Sequence, residues 1–397
     1  MNDAAVTRVM AALGAPETDA RFVGGCVRDA LLGRPVGDID IATPDTPEAV
    51  TEKLERAGLR VIPTGLAHGT VTAVADGRNF EITTLRRDTA CDGRHAAVEF
   101  TTDWHEDASR RDFTMNAMSL SLDGTLHDDF KGASDARVGR LRFVGDPRAR
   151  IAEDYLRILR LFRFHAWYGQ KPIAPSILEA CREARENLTR LSGERIGSEL
   201  VKLLSAPNPV LAVAAMQSCG VIGVLFPEAQ GPSVLLKLVM VERAYRVEPD
   251  WRARLASIVP DRLTISDLQE RLKLSNADAE TIALLRAPLP VIAQDMPTLA
   301  LDAALYRSGA ECVRGRAALA AAHGRQLAGW APVFKAIAGW EPQPIPVGGD
   351  DVIALGVAPG PEVGRLLAVA ENAWIGSGFS ATRDQLLAEV KDNIKAC

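Results

Sequence analysis

Residues 21–43 constrain the fold more than any other stretch, because they join a strand, a glycine turn, a helix and a second strand bearing two aspartates. Arg21-Phe-Val23 predicts a strand, Gly24-Gly25 a tight turn, and Val27 to Leu32 a short helix closed by Gly33. Backbone N–H groups near the glycine pair then face outward with positive dipole and can cradle a triphosphate, with Arg28 one helical turn in to hold its charge. In Gly37-Asp-Ile-Asp-Ile-Ala-Thr43, strand alternation sends Ile39 and Ile41 into a core and turns Asp38 and Asp40 to the other face. Two carboxylates about 7 Å apart at Cα, two strand rises, can converge on a hard cation such as Mg²⁺. A bare Asp-x-Asp is often only the wet face of a strand, and Gly-Gly before a helix is often only a turn. With Asp38 ten residues after Arg28, the two together read as a metal-dependent nucleotide-transfer site.

Two later segments extend this chemistry. In Glu153-Asp-Tyr-Leu-Arg-Ile-Leu-Arg-Leu-Phe-Arg-Phe164, a helix would place Asp154, Arg157, Arg160 and Arg163 three residues apart on one ridge. Tyr155, Ile158, Leu159 and Phe162 would fall on an apolar arc that packs inward. An Asp beside an Arg complements a base edge with an amino donor next to a ring-nitrogen acceptor, which cytosine and adenine both have. Guanine and uracil present the reverse order, leaving donors facing donors at a cost of about 1 to 3 kcal/mol per unmet group. The same pair could therefore admit CTP and ATP and exclude GTP and UTP. An amphipathic surface helix with Asp–Arg pairs at i,i+3 would show the same spacing. Glu81, in Asn79-Phe-Glu-Ile-Thr-Thr-Leu85, alternates as strand residues do and could stand as a third carboxylate beside the aspartate pair.

Together with Arg110-Arg-Asp-Phe-Thr-Met-Asn-Ala-Met118, these segments complete a recognisable order. Phe22 to Thr43, Arg110 to Met118 and Glu153 to Phe164 resemble the nucleotide-binding, sugar-contacting and base-reading motifs of the class II CCA-adding tRNA nucleotidyltransferases, which share a head domain with bacterial poly(A) polymerases. The resemblance runs over residues 20 to 240 and is weaker beyond. It implies an α+β fold: a polymerase β-like nucleotidyltransferase head with a mixed sheet over 1–138, then an all-helical neck (139–215), body (216–310) and tRNA-binding tail (311–397). It also implies that Asp38 and Asp40 hold two Mg²⁺ ions, with Glu81 completing the catalytic set. Gly24, Gly25, Arg28, Arg111, Asp112, Asn116, Asp154, Arg157, Arg160 and Arg163 are the implied nucleotide contacts. Of these, Arg111 and Asp112 would touch phosphates and sugar, Asn116 the ribose or the internal hydrogen bonding, and Arg160 and Arg163 the triphosphate or a stacked ring. The implied activity is template-independent addition of CCA to the 3′ end of tRNA from CTP and ATP. Poly(A) polymerase activity and CC-only or A-only addition are the alternatives.

Other features weigh on that choice. Relatives that make poly(A) usually carry a basic Arg-Arg-Phe-Arg type segment after the Asp-x-Asp strand, whereas this chain has Thr64-Gly-Leu-Ala-His-Gly-Thr-Val71, the form of CCA-adding relatives. The polar stretch Arg86 to Val98, with Asp92-Gly93-Arg94, reads as a mobile loop of the kind that helps relatives switch from CTP to ATP. His127-Asp128 lacks the further His and Asp of a phosphohydrolase, so no phosphatase activity is expected. A nucleotidyltransferase acting on a small molecule would need neither the Asp154 and Arg157 reader nor a long helical body. A catalytically dead RNA module would be expected to have lost an aspartate.

At 397 residues and 47% apolar, the chain has length for several domains and packed cores. No long apolar run or signal pattern is present, so no membrane span is expected and the cytoplasm is the expected compartment. The six cysteines lack Cys-x-x-Cys spacing and read as reduced thiols. A net charge of −5 does not advertise an RNA binder, yet residues 137 to 163 hold eight arginines, a local basic belt that can meet a phosphate backbone. Short strands are expected at 59–62, 69–74, 78–84 and 98–100, a helix after Thr46-Pro47, and helices from about 150 onward, one capped by Ser192. Residues 340–349 read as a Pro- and Gly-rich loop. The segment 349–366 after it reads either as an RNA-contact segment or as a helix-turn-helix packing element.

Overall fold

In the computed structural model, which describes residues 3–65, 69–91, 96–229, 231–288, 291–324 and 326–395, the glycine turn forms where the sequence places it. After α1 (Ala4–Ala12), capped by the Asp3 side chain, β1 (Arg21–Val23) enters the turn and α2 (Gly25–Leu31) leaves it. Gly24 has φ +71°, a left-handed conformation that costs an L side chain about 1–2 kcal/mol, and Gly33 at φ +64° closes the helix in the same region.

The remaining strands are β2 (Asp40–Thr43), β3 (Arg60–Gly65), β4 (Thr70–Ala75), β5 (Arg78–Thr84), β6 (Arg86–Cys91), β7 (Ala96–Phe100), β8 (Ser119–Ser121) and β9 (Leu126–His127). Between them lie α3 (Pro47–Arg56), α4 (Trp104–Ser109) and, after β9, α5 (Gly132–Arg137). Thr46 caps α3, its hydroxyl accepting from the Ala49 N–H, with Pro47 at the first helical position. Seven strands form one mixed sheet in the order β3-β4-β5-β2-β1-β8-β9. Among the described residues β2 and β5 are the parallel pair of this sheet, and their register sets Asp40 opposite Glu81. Ile39 and Ile41 are buried with α1 and α3 residues Val6, Val9, Val50 and Leu54, each full burial contributing about 1.5–3 kcal/mol.

Two expectations near the acids are corrected. The strand begins at Asp40, not before Asp38, because its partner β1 ends at Val23 opposite Asp40 and leaves Asp38 in an exposed bend. The stretch expected as a loop over 86–98 instead supplies β6 and β7, a separate antiparallel pair in which Arg87 faces Glu99 at 3.1 Å. Residues 66–68 of the Thr64 to Val71 segment and Asp92-Gly93-Arg94 lie outside the described residues.

Helices follow: α6 (Pro147–Glu153), α7 (Leu156–Tyr168), α8 (Pro175–Ala184) and α9 (Gly193–Leu204). Ser192 occupies the cap position of α9 without a side-chain hydrogen bond there. The single helix expected over 153–164 is broken: Asp154 is extended (φ −152°, ψ 108°) and its Oδ1 accepts the Leu156 N–H at 3.0 Å. An aspartate that can satisfy an orphan N–H ends one helix and starts the next, so Asp154 leaves the ridge that Arg157, Arg160 and Arg163 share.

The chain divides into two compact units, Met1–Pro232 with Glu270–Leu274, and Ser233–Gln269 with Ser275–Cys397. The borders near 138, 215 and 310 are a finer division than this. In the second unit, Arg254 and Glu242 form a buried ion pair at 2.7 Å. Helices Gly349–Ile353 and Pro361–Gly376 pack together around Val352, Leu366 and Trp374, the helix-turn-helix arrangement open to residues 349–366. Cys26, Cys181, Cys219 and Cys312 are free thiols, and no helix is long and apolar enough to cross a membrane among the described residues.

Candidate active site

Asp40 opens β2 beside Glu81 on β5, with Asp38 two residues upstream. Burial, then the negative charge of Glu81, pushes the Asp40 carboxyl above the usual carboxylate range; Asp38 adds to this and Arg111 opposes it. Like charges crowded on a half-buried edge are relieved by a bound cation, so the residues present fit a hard divalent ion. Among the described residues no three or more His, Cys, Asp or Glu side chains form a ready-made cage. Mg²⁺ does not require one, since it is commonly held by one or two carboxylates together with water and substrate phosphates.

Arg111 lies against the glycine turn: a Cβ built on Gly24 would stand 3.3 Å from its Nη1. Asp107, which sequence reasoning missed, holds it there. One Asp107 oxygen accepts Arg111 Nη2 at 2.9 Å, and the other accepts Arg110 Nη2 at 2.6 Å. Burial opposes the charged form of Asp107, but the two guanidinium groups outweigh it and keep the carboxyl below its ordinary range.

The other expected nucleotide contacts form a chain of hydrogen bonds between the glycine turn and the helices. Arg28, 6% exposed, does not reach outward: its guanidinium donates to Asp29, to Asn116 Oδ1 at 2.6 Å and to the Tyr168 hydroxyl at 2.7 Å. Asn116 Nδ2 donates to Asp112 Oδ1 at 3.0 Å, and Asp112 Oδ2 accepts Arg160 Nε at 2.8 Å. On α9, buried Glu199 stands 2.7 Å from Arg163 Nε and 3.9 Å from Arg160 Nη1. Arg163 also lies over the Phe164 ring at 4.4 Å. Arg28, Asn116, Asp112 and Arg160 are thus joined by hydrogen bonds, while Arg163 Nε and Glu199 Oε2 meet as a buried ion pair without hydrogen-bond geometry; Gly25 lies beside this frame, 3.6 Å from Arg28 Nη2 by its added Cβ. Glu199 and Tyr168 were not anticipated. One signal for Glu199 existed: it falls on the apolar arc of α9 with Ile196, Leu200 and Leu203, where an acid needs a buried partner.

The side chains of Asp154 and Arg157 are held by different partners, although the Arg157 N–H donates to the Asp154 carbonyl at 3.0 Å. Arg157 donates to the carbonyls of Arg150 and Arg110 at 3.0 and 3.1 Å and to Glu153. Asp154 Oδ2 accepts Arg195 Nη2 at 2.7 Å. The basic belt is largely neutralised: Arg140 and Arg142 meet Asp135, Arg148 meets Glu183, and Arg150 shares Glu153 with Arg157. His127 Nε2 lies 2.8 Å from the Ser121 hydroxyl, and Asp128 accepts the N–H groups of Gly132 and Ala133 that start α5, so this dipeptide is structural.

A mixed sheet with an acidic edge beside a glycine turn defines a nucleotidyltransferase, and comparison with known proteins sharpens the class. Residues 20–142 match the family described as the poly A polymerase head domain, and residues 172–231 match that described as the "Probable RNA and SrmB- binding site of polymerase A". The mitochondrial CCA tRNA nucleotidyltransferase 1 of Danio rerio is 35% identical over 381 residues, covering 94% of this chain and 88% of the relative. The CCA-adding enzyme of Limosilactobacillus fermentum is 30% identical over 385 residues, covering 95% and 94%. The crystal structure of the Bacillus stearothermophilus CCA-adding enzyme in complex with CTP superposes with a TM-score of 0.74 at 27% identity, covering 99% of this chain and 97% of that one. The chain belongs to the family of CCA-adding tRNA nucleotidyltransferases.

Proposed function

We propose that this protein adds CCA to the 3′ end of tRNA from CTP and ATP without a template. The observation that carries the reading is the acidic edge, with Asp40 in register with Glu81, lying beside a glycine turn that Arg111 covers. The RNA 3′-hydroxyl oxygen attacks the α-phosphorus in line, and pyrophosphate leaves. Asp38 and Asp40 would hold two Mg²⁺ ions, which would lower the hydroxyl's pKa and stabilise the leaving pyrophosphate. Arg111, oriented by Asp107, supplies fixed positive charge beside the phosphates, and Gly24 keeps that approach free of a side chain. Arg28, Asn116, Asp112, Arg160, Arg163 and Glu199 hold the turn and α7 in one geometry. Asp154 and Arg157 read the base edge. The division at 138, 215 and 310 into head, neck, body and tail, with tRNA bound by the tail, is part of the same reading, as is the cytoplasm as its compartment.

The deciding assay offers the purified protein tRNAs ending before the first C, after C and after CC, each with a single NTP, and sizes the products. CTP incorporation into the first two and ATP into the third is expected; long A tails, or addition of G or U, would refute the assignment. Asp40→Asn is expected to lose activity without loss of stability. Its carboxyl is pushed up in the fold, so its charged form opposes folding at neutral pH, and neutralising it removes that cost. Retained turnover would sink the catalytic role.

A further inference from the structure

We propose that Arg195 is a positioning residue for nucleotide selection, acting through Asp154. This rests on the base-reading role of Asp154 given above. Asp154 sits in the two-residue break between α6 and α7, where its carbonyl accepts the Arg157 N–H at 3.0 Å, and its carboxylate is fixed by two donors of its own. Oδ1 accepts the Leu156 N–H at 3.0 Å, and Oδ2 accepts Arg195 Nη2 at 2.7 Å. The two contacts come from different places, one from the start of α7 and one from the first turn of α9.

A single hydrogen bond would let the carboxyl plane swing about its own Cβ–Cγ bond; two donors on opposite oxygens set that plane. Each carboxylate oxygen can accept two hydrogen bonds, so the pairing leaves a lone pair on Oδ2 for the exocyclic amino group of cytosine or adenine. Arg157 needs no such help, since two backbone carbonyls and Glu153 already hold its guanidinium. The acceptor half of the reader therefore depends on Arg195 and the donor half does not. A base with a carbonyl in place of the amino group meets a carboxylate that cannot turn aside. With Arg195 gone, Asp154 can rotate away from such a base and the rejection weakens.

The ion pair is exposed, the side chains keeping 48% and 33% of their surface, so its loss should cost the fold little. That separates positioning from scaffolding. In Arg195→Ala, discrimination of CTP over UTP, taken as the ratio of kcat/KM values, is expected to fall about tenfold, with kcat for CTP nearly unchanged and the melting temperature close to wild type. Arg195→Lys, which can still donate to Oδ2, should recover part of the ratio. Asp154→Ala, measured in parallel, keeps the two ideas distinguishable. If it abolishes discrimination while Arg195→Ala leaves the ratio intact, the positioning role is wrong and base reading stands. If Asp154→Ala also discriminates normally, base reading itself fails and this inference with it. An equal rise in KM for all four NTPs in Arg195→Ala would identify a phosphate contact and overturn the proposal.

Discussion

Asp112→Ala tests whether the frame joining the glycine turn to α7 is energetically real. Asp112, 8% exposed, accepts from the Phe113 N–H at 2.8 Å, Asn116 Nδ2 at 3.0 Å, and Arg160 Nε and Nη2 at 2.8 and 2.6 Å. Removing one partner of a buried, hydrogen-bonded ion pair costs about 3–5 kcal/mol, because the other charge is left uncompensated. Arg160 keeps a third of its side-chain surface and has Glu199 at 3.9 Å in reserve, which brings the expectation to about 3 kcal/mol. The pH dependence adds a second, independent signature. Burial opposes the Asp112 charge, but Arg160 and the hydrogen bonds outweigh it and hold the carboxyl below its ordinary value. A depressed folded pKa means stability that is fully present above the unfolded value, about 4, and lost as pH falls through the folded value. The gap between wild type and variant should therefore stay constant from pH 7 to about 5 and narrow below about 4. Since two units need not unfold together, hydrogen exchange of the α7 amides reports the local free energy better than a global melt. A gap under about 1 kcal/mol at pH 7, or one that fails to narrow in acid, would refute the reasoning.

Gly24→Ala should destabilise by about 1–2 kcal/mol from the left-handed backbone alone and raise KM for NTPs severalfold, since its Cβ would press on Arg111 at 3.3 Å; unchanged steady-state kinetics would show that Arg111 does not depend on the turn. In the second unit, Glu242→Ala should cost about 3–5 kcal/mol by removing the carboxylate that answers the buried Arg254 charge, whereas the double replacement Glu242→Leu with Arg254→Met should return to within about 1 kcal/mol of wild type in denaturant melts. Equal losses in the single and double variants would show that packing volume, not charge, is what the pair contributes.

What could be read before the structure was local in origin. Alternation placed Ile39 and Ile41 in the core, Thr46-Pro47 announced α3, and glycines at 24 and 33 marked backbone that only glycine adopts cheaply. What could not be read depended on which side chains packing brings together. Asp154 has an aspartate's choice between a helix face and a cap, and only the meeting of α6 with α7 decides it. Arg195 meets Asp154 through the packing of separate segments, which no spacing names, whereas Asp107 stands at i,i+3 and i,i+4 from Arg110 and Arg111, a local signal that was legible and went unused.

The arginines between 137 and 163 carry this argument furthest. Counted along the chain they form a belt; in the fold Asp135, Glu183, Glu153, Asp112 and Glu199 answer all but Arg137. Four of those carboxylates lie outside the stretch that holds the arginines, so a window of sequence sees the cations without most of their partners. An arginine engaged by a buried carboxylate is a structural strut whose charge is already spent, and it releases few counterions when a phosphate approaches. The acidic net charge and the arginine-rich stretch are then two views of one design, in which most of that positive charge serves to hold the fold's geometry, as Arg111, outside the stretch, is likewise held by buried Asp107.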